Sequence, residues 1–270
     1  MKIIPVTDPS EIAHSQRIMG YFQRTEEVAT ALGPLISPQS GSGLAQDDAR
    51  CPHHDVAGYA FNQLTVATSC IEAMRRMMVQ ESDQSIMLTA SAFGAYALAR
   101  NSMDAAATAL WLLEPVNGTL RIKRRILLGL DEEEKKGAMF QSIGKPWVEV
   151  KRRRRQRLKE VAGEAQLGVW NPFADSLPTM TKTLRMLEHR HENVVMPWLA
   201  AWQLASGHAH GKMWAHLASN EIEEIPGTQT STGAQYVMTI NFGMLAVVLY
   251  EAVQLLEVAG LRYLNLARRP

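Results

Sequence analysis

Apolar residues recur along this chain at the three- to four-residue spacing of helices, and polar breaks punctuate them at regular intervals. Over 9–32, Pro9 and Ser10 open EIAHSQRIMGYFQRTEEVATAL, Ile12, Met19, Phe22 and Val28 form an apolar stripe, and Gly33-Pro34 stops it. The segment 33–54 loses the pattern. It carries Gly33, Pro34, Ser37, Pro38, Ser40, Gly41, Ser42 and Gly43 and reads as a long flexible loop. Further helices are predicted over 55–81 with Asp55 as N-cap, over 83–114 ending before Pro115 and Asn117-Gly118, and over 119–143 and 147–168. The last three follow Thr179 or Thr181, then cover 198–216 and 235–267, with polar connectors at 169–179 and 220–234. The second connector has room for a short extended piece, but no run shows sustained alternation. The pattern predicts an all-α fold, an antiparallel bundle of about eight helices. It divides into an N-terminal helix and flexible loop (1–54) and a helical bundle domain (55–270).

Composition adds limits. The 270 residues suffice for a full core, and 28 basic against 27 acidic side chains leave a formal charge of +1. That argues against wholesale polyanion binding and leaves room for a local basic patch. The two cysteines, Cys51 and Cys70, read as reduced thiols. Pro5, Asp8 and Glu11 interrupt the place of a secretory apolar segment. The long apolar helices are broken by Arg100 and Asn101, or by Glu251 and Gln254, short of the roughly 18–20 residues a bilayer demands. The expectation is a soluble, cytoplasmic protein with no membrane partner.

Candidate chemistry gathers in WLAAWQLASGHAHGKMWAH, residues 198–216, which holds His208, His210, His216, Trp198, Trp202 and Trp214. Two residues along a helix turn about 200°, so His208 and His210 cannot grip one metal, and one should face inward while the other faces outward. Gln203, Ser206 and His210 return to one azimuth and put an amide, a hydroxyl and an imidazole in a row, flanked by Gly207 and Gly211. Earlier in the chain, Arg100 and Asp104 stand one turn apart inside an apolar helix. They form either a water-facing ion pair or a polar pocket where two helices meet. The reading depends on the Arg100 helix and the His210 helix facing a common hollow.

Other clusters compete. Lys151, Arg152, Arg153, Arg154, Arg155, Arg157 and Lys159 put seven cations into nine residues, more than one helical face can hold. They suit RNA or an acidic partner, or a solvated helix with acidic neighbours. No aromatic interleaves them, so single-strand stacking is not suggested. Cys51, His53, His54 and Asp55 lack a second ligand pair at a familiar spacing. Glu188–His191 and Glu11–His14 repeat the Glu-x-x-His spacing of di-iron bundles without the further glutamates such a site needs. A carboxylate/histidine metal bundle is thus a remote alternative, and no metal or cofactor is expected.

The pairing of ALARNSMDAAATALWLLEP with WQLASGHAHG resembles the bacterial DUF5677-type families related to HEPN domains, over roughly residues 60–265. Arg100 and Asp104 match the Arg-x-x-x-acid pattern of one helix in those families. Trp202, Ser206 and His210 match the later Tyr-Arg-x-x-Ser-x-x-x-His pattern. The resemblance implies an all-helical homodimer that binds RNA or a nucleotide and acts as a metal-independent ribonuclease in a defence or toxin–antitoxin setting, with an antitoxin or other protein as partner. It also implies that His210 moves protons and that an arginine steadies the phosphate. Gln203 stands at that arginine position and carries no charge. The charge must then come from Arg100, Lys212 or the 151–159 run. The resemblance thus nominates His210, Ser206, Arg100, Asp104 and Gln203 for chemistry. Arg152, Arg153, Arg154, Arg155, Arg157 and Lys212 are the nominees for RNA or partner binding. A non-catalytic helical interaction module or dimeric scaffold is the alternative.

Overall fold

A computed structural model of the chain describes residues 8–82, 85–89, 93–191 and 195–269. The protein is mostly helical. Among the described residues there are ten α-helices, against the expected eight or so, and two small antiparallel hairpins, one beginning in the 220–234 connector where a short extended piece was expected and the other in a stretch expected to be helical.

The core is built on α4 (Gly94–Leu113), which packs against α3 (Val56–Met78), α8 (Trp198–Ala209) and α10 (Phe242–Ala267). Ala95, Ala99, Ala106, Ala107 and Ala109 are fully buried on α4, and such small side chains let neighbouring helices approach closely. α10 answers with fully buried Leu245, Val248, Leu249, Val253, Leu255 and Leu256. By length and composition α10 is also apolar enough to cross a membrane, despite Glu251 and Gln254, but 61% of its most apolar window is buried against the rest of the fold. α1 (Pro9–Leu32) lies along α10 and is tied to it by the Arg24–Glu257 ion pair.

The segment 33–54 departs most from expectation. It forms a 3-10 turn at Gly33–Leu35 and a short helix α2 (Gly43–Arg50), capped by Ser42, whose Oγ accepts from the Ala45 amide at 3.2 Å. Leu35 and Leu44 are buried, and Tyr263 donates to the Leu35 carbonyl at 2.8 Å. Asp47 accepts from Arg121 Nε at 2.6 Å with both side chains 4% exposed, while Arg121 also donates to the carbonyls of Pro115 and Val116. Asp55 holds the N-cap position of α3 as expected, but its side chain makes no capping bond; Asp48 supplies it, its Oδ1 accepting from the amides of Val56 (2.7 Å) and Ala57 (3.2 Å). Two leucines and two aspartates anchor the segment, too few to leave a periodic signature.

Several helix limits also shift. α3 ends at Met78, and β1 (Val79–Ser82) pairs with β2 (Ser85–Leu88), Val79 opposite Leu88, where helix was expected. α5 (Gly118–Ser142) and α6 (Val148–Glu164) form an antiparallel arm. α7 (Met180–Glu188) is half the predicted length; the expected remainder includes residues 192–194, outside the described residues. The 198–216 stretch divides into α8 and α9 (Met213–Ser219), and β3 (Asn220–Glu224) pairs with β4 (Tyr236–Ile240) before α10.

Glu251 on α10 is fully buried. One carboxylate oxygen accepts from the Met196 amide at 2.9 Å, and the other has no hydrogen-bond partner among the described residues. Burial pushes its pKa up to about 7, the Met196 bond offsets part of this, and the Glu188 charge adds to it. The folded state therefore holds the Glu251 proton at pH values where the unfolded chain, near 4.5, has lost it. Its contribution to stability is complete below the unfolded value and is lost as pH rises through about 7. Glu251→Gln keeps the accepting oxygen and carries no charge. Thermal melts followed by circular dichroism should find the variant more stable than the parent at pH 8, by on the order of 1–3 kcal/mol or several degrees, with the gap narrowing at pH 5. An identical gap at both pH values would rule out titration of Glu251.

Candidate functional site at the junction of α4 and α8

The α4 and α8 helices present their polar residues to each other. Arg100 donates from Nε to Ser206 Oγ at 3.0 Å and pairs with Asp104 at 3.3 Å. Trp202 donates its indole N–H to Asp104 at 2.7 Å, and the Arg100 guanidinium lies 5.7 Å from the centre of that indole ring. The two charged side chains are only about a quarter exposed (26% and 29%), which places them at a helix interface and not on a water-facing stripe. Burial raises the Asp104 pKa, and the Trp202 N–H and then Arg100 pull it back down.

The end of α8 shapes what lies outside this network. The Gly211 amide donates to His208 and the Lys212 amide to Gly207 at 2.8 Å, with Gly211 at φ +61°, a left-handed helix stop that suits glycine. The chain then turns back into α9. A Cβ at Gly207 would lie 2.6 Å from the Ala215 methyl and 2.7 Å from the Trp214 ring, so only glycine lets α9 close over α8. The result is an open hollow of about 400 Å³ lined by Trp202, Gln203, Ser206, His210, Lys212 and Trp214. His210 and Gln203 are exposed in it. Arg100 stands behind Ser206 and does not line the hollow, and Asp104 instead borders a separate cleft of about 600 Å³ that also includes Thr108 and Asp131.

His208 turns the other way. Its ring stacks on Tyr96 (centroids 3.9 Å apart, planes 10° apart) and meets His216 edge-on at 4.4 Å. Its Nε2 lies 2.6 Å from Ser219 Oγ, which also lies 2.7 Å from the Ala215 carbonyl. His216 is 4% exposed, and neither of its ring nitrogens has a hydrogen-bond partner among the described residues. Burial holds the Tyr96 phenol above its ordinary pKa. Tyr96 and Ser219 escaped the sequence reading because an aromatic and a serine at helical spacing look like ordinary core.

The basic run is largely paired. Arg152 and Arg153 reach Glu149, Arg154 reaches Glu133, Lys151 and Arg155 reach Glu134, and Arg157 reaches Glu160 and Glu164. The structure corrects one point: Phe173, from the 169–179 connector, folds back beneath the run, with Arg155 4.4 Å and Lys159 5.6 Å from its ring centre.

The metal candidates disperse. Cys51 is buried with its thiol pKa raised by desolvation, and His54 is pushed down to about 4 by burial and by the Arg125 guanidinium, a cation that would repel a metal ion. Glu188 accepts from the Leu199 amide and His191 sits 3.4 Å from Glu114. Glu11 accepts from the Phe242 amide at 2.9 Å, and His14 faces Arg17. Among the described residues no three metal-ligating side chains converge.

No known protein family, no curated protein and no solved structure matches this chain. The site must therefore be read from its own geometry.

Asp104→Ala removes the acceptor of a half-buried indole N–H and the partner of Arg100 together. It should cost about 1–3 kcal/mol of stability in urea unfolding, whereas Gln203→Ala, exposed in the neighbouring α8 hollow, should cost under about 0.5 kcal/mol. Equal effects of the two would mean that the Asp104 network holds nothing in place.

Proposed function

We propose that the α8 hollow binds RNA or a nucleotide and that the protein is a HEPN-like, metal-independent ribonuclease in which His210 transfers protons. One observation supports this reading above the rest: two indoles, an imidazole and an ammonium group line a single hollow of about 400 Å³. Indole faces suit a nucleobase, Lys212 suits a phosphate, and an exposed imidazole nitrogen can accept a proton from a hydroxyl held against it. Gln203 can hydrogen-bond a phosphate or a base but cannot neutralise it, so in this reading Lys212 takes the role of the absent arginine. Arg100 is committed to Asp104 and Ser206 and acts by holding α8 in place.

The chemistry that needs no metal is attack by the ribose 2′-hydroxyl on the adjacent phosphorus. His210 takes the hydroxyl proton, the 5′-oxygen leaves and is protonated from water, and a cyclic phosphate remains. A cytoplasmic homodimer balanced by an antitoxin-type partner belongs to the same proposal. The second reading, a non-catalytic interaction module, draws on Met213 (64% exposed), Trp214 (53%) and Leu217 (57%), an apolar surface on α9 beside the hollow.

His210→Ala should abolish cleavage of a labelled single-stranded RNA while leaving the melting temperature unchanged, and Lys212→Ala should weaken binding about tenfold, read by quenching of tryptophan emission. Cleavage that persists in a folded His210→Ala variant removes the histidine from the mechanism. A wild-type protein that neither cleaves RNA nor shows quenching leaves the interaction module standing.

A further inference from the structure

The arm formed by α5 and α6 carries a second concave surface, independent of the α8 hollow. It is an open groove of about 850 Å³ lined by Arg152, Arg153, Arg155, Arg157, Lys159 and Phe173, with Glu160 as its lining carboxylate. Its origin lies in how the helix divides its charges. Leu158, Val161 and Ala162 are buried, and Lys151, Arg154 and Arg155 lean toward Glu133 and Glu134 of α5. Arg152, Arg153, Arg157 and Lys159 are left on the outer side, exposed to solvent. Their carboxylate partners, Glu149, Glu160 and Glu164, are themselves on the surface, at separations up to 3.8 Å. Ion pairs of that kind contribute little net free energy and exchange readily for a stronger anion.

Phe173 decides what that anion is. The connector brings its partly exposed ring into the floor of the groove, 4.4 Å from the Arg155 guanidinium and 5.6 Å from the Lys159 ammonium. A surface built only to meet an acidic peptide has no use for a phenyl ring among its cations. A nucleic acid strand needs both groups: phosphates for the guanidinium forks and bases for the ring and the stacked guanidinium plane. From Arg152 to Lys159 the helix advances about 10 Å, the length of roughly three nucleotides of a stacked strand.

We infer that this groove binds the backbone of single-stranded nucleic acid, about three nucleotides long, with one base stacked at Phe173. The test is fluorescence anisotropy with a labelled oligouridylate on the full chain. Wild-type binding should weaken with salt with a slope of about −2 in log–log form, as three phosphate contacts require. Phe173→Leu keeps an apolar side chain and should weaken binding about tenfold with little change in the slope. Arg153→Ala with Lys159→Ala, both on exposed positions, should weaken binding and reduce the slope by about 1.4. Should Phe173→Leu lower the melting temperature, the double substitution alone decides, since neither of its residues is buried. Wild-type affinity in the double variant overturns the inference, as does equal binding of polyglutamate and oligouridylate, which would mean charge alone. Lys212→Ala separates this site from the α8 hollow. Loss there with none in the groove variants refutes the groove, loss in the groove variants alone refutes ligand binding at the hollow, and loss in neither refutes both.

Discussion

A carboxylate and a guanidinium placed one turn apart on a helix with neighbours on nearly every side have to meet something polar, and α8 is what they meet. α4 packs against α3, α8 and α10, and Arg100 and Asp104, about three-quarters buried, lie where it meets α8. The Trp202 indole N–H and the Ser206 hydroxyl complete their hydrogen bonding. The cost of leaving any one of these groups buried and unpaired fixes the rotation of α8 about its own axis. Everything that α8 displays on its outer side, including His210 and Gln203, follows from that rotation. A polar network inside an apolar bundle thus sets register in a way that leucine packing alone would not.

The second constraint is a pair of glycines with different tasks. Gly211 takes a left-handed conformation that stops α8, and Gly207 gives α9 the space to fold back against it. Without the first, 198–216 would continue as one helix and Lys212 and Trp214 would point away from Trp202. Without the second, Trp214 could not lie against the α8 backbone. The hollow is therefore a product of chain reversal, and its two walls come from adjacent helices in sequence. The same reversal drives His208 and His216 together on the inner side, where Tyr96 and Phe93 close around them.

Much of this architecture was legible in the chain. The α1 limits, the partnership of Arg100 with Asp104 and the opposite facing of His208 and His210 all follow from helical periodicity, which is strong over long apolar runs. Strands β1 to β4 were not legible, because short half-exposed hairpins such as Asn220–Glu224 with Tyr236–Ile240 carry no sustained alternation. The segment 33–54 misled for a related reason. Its order rests on Asp47 with Arg121 and on Asp48 at the start of α3, contacts between residues far apart in sequence that no local window contains. Phe173 was overlooked in the same way, being remote from the cations in sequence and adjacent to them only after α6 ends and the connector returns.

The near-neutral total charge conceals a local separation that matters for any anionic ligand. α5 supplies Glu133 and Glu134 to the inner side of α6, where they neutralise Lys151, Arg154 and Arg155 and let the arm pack. That leaves α6 with a sided distribution: Lys151, Arg154 and Arg155 are paired across the helix interface, and on the side facing solvent four cations meet three surface carboxylates, Glu149, Glu160 and Glu164. At physiological salt the field of exposed charges decays within about 8 Å, so what a ligand meets is the groove itself and not the net charge of +1. A chain balanced in total can therefore present a groove with more cations than carboxylates, because Glu133 and Glu134 are used where α5 and α6 touch.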